Sequence, residues 1–296
     1  IELFVSNGEL DFPEKTVPAL VADVLAAQPR VLKGASDGFI AEITVEAVTL
    51  SRVVAEQIRK GGFTECRTEV PFGGAGAVLA GGEIRLPHGA AAVEGVIDRL
   101  DVAKNGGQGA ARVIDYKTGY AAFSYADIYY GKKLQLPVYL AVARANGYAP
   151  AGMFYFPFSS GFSDENDHRL LGVFDSAYAL EMDRDLALPS HASSVVRARS
   201  TKDSSADKVT LAKSGNAAVT GDTLASVCDY ARAALDAGAK EMFGGYIAAA
   251  PLSGGNISEC AYCEMYAACA AMGGVKRERK KGRVSADDFV RIRGEL

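Results

Sequence analysis

The sequence predicts an α/β fold with a mixed central sheet flanked by helices, and three observations predict it. Two apolar segments, Gly95-Val-Ile-Asp98-Arg-Leu-Asp and Val113-Ile-Asp115-Tyr-Lys117-Thr-Gly, alternate as strands do across a glycine-rich linker. A helical stretch ending near Ala145 then leads into Gly152-Met-Phe-Tyr-Phe-Pro-Phe, which is strongly strand-like. Helical periodicity marks the segments before and after this region, and helices that follow strands pack back onto the sheet.

The elements follow in order. Residues 1–62 read as a helical lead-in: Val17-Pro-Ala-Leu-Val-Ala-Asp-Val-Leu repeats apolar residues at helical spacing, and residues 45–60 do so again before Gly61-Gly62. The opening Ile1-Glu-Leu-Phe-Val has neither an initiator Met nor a signal-peptide pattern, which predicts a start inside a larger polypeptide. Residues 63–272 make the main domain. Cys66 to Phe72 and a segment near Ile84 read as extended, and Asn105, Gly106, Gly107 and Gly109 supply turn chemistry that folds the two apolar strands into an antiparallel hairpin. A helix is expected from Tyr125 or Gly131 to Ala145. An irregular excursion near 189–221 is rich in Ser, Ala, Lys and Asp. The clearest helix opens at Asp222, with Leu224, Val227, Ala231, Leu235, Ala239 and Met242 on one stripe read as core, and ends at Gly244-Gly245. Residues 273–296 read as a basic tail and a helical C-terminal extension whose N-cap is Ser285-Ala-Asp-Asp288.

Composition narrows the function. With 296 residues, 49% hydrophobic and 23% charged, the chain can bury a substantial core. No run approaches the ~20 apolar residues of a membrane span, so no membrane partner is expected. A net charge of −4 argues against coating nucleic acid by bulk electrostatics, so a DNA partner needs a local basic surface. Lys276, Arg277, Arg279, Lys280, Lys281 and Arg283 are the candidate, and a plain solvated face is the other reading of that run. The five cysteines, Cys66, Cys228, Cys260, Cys263 and Cys269, are odd in number with three clustered, which points to a reducing cytoplasm rather than a secreted disulfide framework. No segment resembles a Gly-x-x-x-x-Gly-Lys phosphate loop.

The hairpin carries the chemistry. Residues two apart on a strand face the same way, so Asp115 and Lys117 point together while Tyr116 points away, and the antiparallel pairing brings Asp98 alongside Asp115. Two carboxylates and an amine suit phosphodiester hydrolysis. Hard oxygen ligands hold Mg²⁺ or Mn²⁺, the metal polarises the phosphate and acidifies a bound water, and the ammonium steadies the water or the developing charge. An Asp-x-Lys triplet by itself reads as a solvated strand face. Val96, Ile97, Val113 and Ile114 argue instead for burial, where an unpartnered Asp or Lys is costly.

Gly95-x-x-Asp98-Arg-x-Asp, Ile114-Asp115-Tyr-Lys117-Thr-Gly and Tyr130-Gly131-Lys-Lys-Leu-Gln135-Leu-Pro-Val-Tyr139-Leu, in that order, resemble the RecB-like branch of the PD-(D/E)XK nucleases. The likeness is nearest to the C-terminal nuclease domains of AddB-type helicase-nucleases, with a CRISPR-associated RecB-like nuclease as a variant. It runs from about Val48 to Met272. It implies a restriction-endonuclease-like core, DNA as substrate, an AddA-like partner, and work in double-strand-break repair. By this resemblance Asp98 and Asp115 are the metal-binding acids, the backbone carbonyl of Tyr116 is a further metal contact, and Lys117 is the site lysine. Gln135 and Tyr139 match a Gln-x-x-x-Tyr motif; their spacing puts both on one helical face, where a surface Gln beside a half-buried Tyr is the plainer reading. Glu69 is either at the site's edge or an exposed strand residue. The resemblance also implies a [4Fe-4S] cluster on Cys260, Cys263, Cys269 and a fourth cysteine upstream, for which Cys66 and Cys228 are poorly placed; without it the three are expected as thiols. The family's helical histidine has no counterpart, since His88, His168 and His191 lie on no helix before Asp98. A chain lacking that ligand is expected to fold yet cleave poorly.

Overall fold

The computed structural model describes residues 4–5, 10–28, 35–104, 109–119, 121–157, 168–212, 217–246, 251–253, 260, 263–266, 269, 279–280 and 282–294. A six-stranded mixed sheet organises it. In chain order the strands are β1 (Glu65–Phe72), a small side hairpin of β2 (Glu83–Leu86) and β3 (Gly89–Ala92), then β4 (Gly95–Ala103), β5 (Ala110–Lys117), β6 (Ala149–Pro157), β7 (Leu171–Asp175) and β8 (Ala218–Val219). The main sheet runs β1-β4-β5-β6-β7-β8. β1, β4 and β5 form an antiparallel meander, β5 and β6 pair in parallel across a helical crossover, and β7 returns antiparallel to β6. The parallel pair at the centre demands burial on both faces, and Ala110–Ile114 and Ala151–Phe156 are buried throughout.

Each face is covered by the helices the amphipathic segments predict. On one face α1 (Pro13–Ala26) and α2 (Asp37–Lys60) pack over Phe63, Ile114, Phe154, Phe156 and Phe174. α2 begins earlier than its apolar stripe suggests, because Ser36 caps it by accepting from the Phe39 N–H at 3.2 Å. On the other face lie α3 (Tyr125–Tyr129), α4 (Gln135–Ala145) and α6 (Gly221–Phe243), over Leu100, Val113, Met153 and Val173. The helix expected from Tyr125 to Ala145 is thus two, parted by a turn at Gly131, whose φ of 75° is left-handed. The short α5 (Ala179–Met182) follows β7, and α7 (Ala286–Arg293) ends the described chain under the predicted Ser285–Asp288 capping box.

Three expectations need correcting or completing. Val96, expected to be buried, is 40% exposed, because it lies on the rim where β4 enters the sheet. The α6 stripe stops being core after its middle: Leu224, Val227 and Ala231 are buried while Met242 is 76% exposed, since the helix outruns the sheet it covers. Of the irregular excursion expected near 189–221, residues 189–212 contain no regular helix or strand, but Ala218–Val219 form β8 on the main sheet, and Val195, Val196 and Ala198 are buried in the α2-side core. The glycine turn at residues 105–108 lies outside the described residues.

Candidate active site

The site is built where β4 and β5 meet the first turn of α4. Asp115 lies between Ile114 and Tyr116 on a buried strand, and its side chain shares a face with Lys117. The pair Arg99↔Ile114 sets the hairpin register, and one step further the Asp98 carboxylate Oδ2 accepts from the Tyr116 backbone N–H at 3.0 Å. The sequence-predicted acids are therefore neighbours. Lys117 Nζ stands 2.5 Å from Asp115 Oδ2 and donates to Gln135 Oε1 at 3.2 Å; Gln135 Nε2 in turn donates to the Tyr139 hydroxyl at 3.0 Å. The i, i+4 pair on α4 thus forms one hydrogen-bonded chain with the lysine.

The electrostatics follow from burial. Asp115 is only 1% exposed, and desolvation raises its carboxyl above the usual range; the Lys117 ammonium works against this and the Asp98 charge adds to it. Tyr139 is raised by burial, opposed by the hydrogen bond from Gln135 and reinforced by Asp98, Asp115 and Glu69. Glu69 itself is exposed. The pairs Thr68↔Arg99 and Val70↔Ile97 bracket it, so Glu69 stands across β4 from Asp98, and its φ of 48° is the left-handed region that a side chain adopts at a cost.

Asp115 Oδ2 is enclosed, and the Lys117 ammonium 2.5 Å away is its charge partner without an aligned hydrogen bond. Asp98 and Asp115, neighbours across the hairpin, are oxygen donors of the kind a hard divalent cation takes. Among the described residues no group of three or more His, Cys, Asp or Glu side chains is placed to hold a metal. Of the clustered cysteines, Cys260 and Cys269 are partly exposed and Cys263 is exposed. Burial pushes the thiols of Cys66 and Cys228 up to about 12, which suits neither to be a fourth thiolate. His88 turns the β2–β3 hairpin, as expected. Of the basic run, Arg283 is exposed, the backbone of Arg279–Lys280 pairs with Leu252–Ser253, and Lys276, Arg277 and Lys281 lie outside the described residues.

Two supports for the site have no counterpart in the sequence expectations. Behind it, Arg99, Asp101 and Arg112 are all 0% exposed. Arg99 Nε and Nη2 donate to the two Asp101 oxygens at 2.7 Å each, and Arg112 Nε donates to Oδ2 at 2.9 Å. The signal for it lies in the strand itself: an arginine inside Ala110-Ala111-Arg112-Val113-Ile114 must have a buried carboxylate partner. In front of the site, Phe72 packs edge-on to Tyr139 at 5.7 Å, and a Cβ on Gly95 would come within 2.7 Å of the Phe72 ring. The glycine that opens the motif makes room for the ring that seats Tyr139.

A family model for the PD-(D/E)XK nuclease superfamily matches residues 3–270. Among curated proteins, the chain is similar to the AddB component of the ATP-dependent helicase/deoxyribonuclease of Desulforudis audaxviator, 31% identical over 283 residues, covering 87% of this chain and 23% of that protein. The proteins of the same name from Clostridioides difficile and Bacillus mycoides are 29% and 27% identical, covering 75% and 74% of this chain and 21% and 20% of theirs. The chain thus spans about a fifth of the length of these relatives.

Proposed function

Because this chain belongs to the PD-(D/E)XK nuclease superfamily, we propose that it is the metal-dependent DNA-cutting module of a helicase-nuclease. The observation that carries the reading is the convergence of Asp98, Asp115, Lys117, Gln135 and Tyr139 on one end of the hairpin. Asp98, Asp115 and the Tyr116 carbonyl would hold Mg²⁺ or Mn²⁺, which when bound supplies Lewis acidity at the phosphate and an acidified water. The protein's own groups do the placing. Gln135 and Asp115 hold the Lys117 ammonium, which then steadies a water or the charge that grows on the phosphate. Tyr139 fixes the Gln135 amide so that its oxygen faces the lysine.

The finer reading is an exonuclease that trims DNA delivered by an AddA-like partner during double-strand-break repair in the cytoplasm; its support is that the relatives are subunits of an ATP-dependent helicase/deoxyribonuclease. A [4Fe-4S] cluster on Cys260, Cys263 and Cys269 belongs to that reading too. A nuclease-fold scaffold that binds DNA or a partner without cutting is the second reading, favoured by a metal set of only two carboxylates and one carbonyl. The test is cleavage of end-labelled linear single-stranded DNA in Mg²⁺ or Mn²⁺ beside Lys117→Ala, with Mn²⁺ titrated into Asp115→Asn. Cutting that vanishes in the lysine variant, with Mn²⁺ binding lost in the aspartate variant, supports the nuclease. Unchanged Mn²⁺ binding in Asp115→Asn would sink it.

A further inference from the structure

Next to the acid pair, a cleft of about 240 Å³ is lined by Lys117, Lys132, Lys133, Gln135 and Tyr155, and among the described residues no carboxylate lines it. The turn at Gly131 builds it: the backbone N–H groups of Lys132 and Lys133 both donate to the Asp127 carbonyl, at 2.8 and 3.2 Å, which fixes where the two side chains start. Lys133 Nζ then donates to the Ala122 carbonyl at 3.0 Å, joining the two walls, and lies 5.9 Å from the Tyr155 ring centre. Lys117 Nζ approaches the same ring at 5.6 Å. Amines from two separate elements thus converge on one tyrosine. The Asp127 carboxylate is 3.8 Å from Lys133 Nζ and mostly buried, so it offsets part of that charge without filling the opening. Lys117 is paired with Asp115 and Lys133 lies near Asp127, yet neither carboxylate lines the opening, which leaves ammonium N–H donors facing it that phosphate oxygens meet well.

We propose that this cleft seats the DNA backbone phosphate next to the scissile one, with Lys132 and Lys133 as its holders. The inference rests on the nuclease reading for its substrate. It deepens that reading by placing the strand's path over the Gly131 turn rather than along the basic C-terminal tail. The cleft shares Lys117 and Gln135 with the site, so a strand lying in it would present its neighbouring phosphate to Asp98 and Asp115.

The test is binding of a fluorescent single-stranded oligothymidylate in EDTA, where no metal is available for cutting, across a sodium chloride series. Each phosphate contact on a single strand contributes a slope of about −0.7 in log K against log salt. Lys132→Gln with Lys133→Gln, which together release that one phosphate, should therefore shallow the slope by about 0.7, and Lys132→Gln alone by less. Lys133→Arg should restore the single-variant value, and Lys240→Gln on α6 should change nothing. In Mn²⁺, the lysine variants should raise KM for cleavage and leave kcat near the wild-type value. An unchanged slope, absent DNA binding, or an equal effect from Lys240→Gln overturns the proposal. A chain that shows the slope change yet never cuts sinks the nuclease reading alone, while one that cuts with its slope unchanged sinks the cleft alone.

Discussion

Replacing Asp101 by Asn keeps the shape of the buried cluster and removes its only negative charge. Asp101 accepts three charge-assisted hydrogen bonds at 2.7 to 2.9 Å from two guanidinium groups with no exposure to solvent. Arg99 has a further partner, Gln57 Oε1 at 3.2 Å, and Arg112 lies 4.5 Å over the Phe63 ring. Neither neighbour can neutralise a charge. Removing one member of such a set costs about 3–5 kcal/mol, because the remaining charges stay buried, or about two to four powers of ten in the folded fraction's equilibrium. The assay is equilibrium urea unfolding at neutral pH. The pH dependence supplies a second reading. Burial works against the Asp101 charge, and Arg99 and Arg112 outweigh it, so the carboxyl sits below its usual range in the folded chain. Its stabilisation is complete above the unfolded value of about 3.9 and is lost as pH falls through the lower folded value. The Asn variant should lack this acid limb. A loss below about 1 kcal/mol, the range of an exposed pair, or an acid limb that persists, would refute the reasoning.

Gly95→Ala should destabilise by about 1–3 kcal/mol, as overpacking does, with Phe72 forced from Tyr139; urea unfolding reads the stability and a lower kcat reads the displaced tyrosine. Gln135→Leu removes the acceptor of a charged donor, worth about 1.5–3 kcal/mol, so cleavage should fall about 10- to 150-fold while the melting temperature barely moves; unaltered kcat would deny Gln135 a part in cleavage. Since desolvation holds the Asp115 carboxyl above its usual range, protons should displace Mn²⁺ at a higher pH than an ordinary aspartate allows, and calorimetric titrations from pH 7 downward should show affinity dropping through that raised value. Burial keeps Cys228 as a thiol, pushed up to about 12, so a disulfide-exchange reagent at pH 8 should reach it only after denaturation.

The hairpin and its acids are legible in the sequence because a strand's two-residue period ties position to face, so Asp115 and Lys117 have to point together. The α4 pair is legible for the same reason at helical spacing. What sequence cannot supply is register between distant strands. Glu69 belongs with Asp98 only because β1 pairs with β4 in one alignment, and nothing local to Glu69 states it. The Arg99–Asp101–Arg112 cluster is hidden by the habit of assigning charged residues to solvent. Lys132 and Lys133 require the three-dimensional turn at Gly131, which splits what periodicity alone joins into one helix. The α6 stripe errs in the opposite sense: periodicity gives a helix its apolar side but not the length over which a sheet lies beneath it.

The docking of α7 has a practical consequence. Phe289, with 0% exposure, is surrounded by Tyr125, Tyr129 and Tyr230, and Tyr129 and Tyr230 stack with their planes 12° apart. The sequence contains no tryptophan. Near-ultraviolet dichroism above the phenylalanine bands is therefore tyrosine dichroism, to which this stacked, half-buried pair should contribute. An optical signal of the C-terminal helix's attachment is thus built in, and a Phe289→Trp substitution would turn it into a single-fluorophore reporter without touching the hairpin.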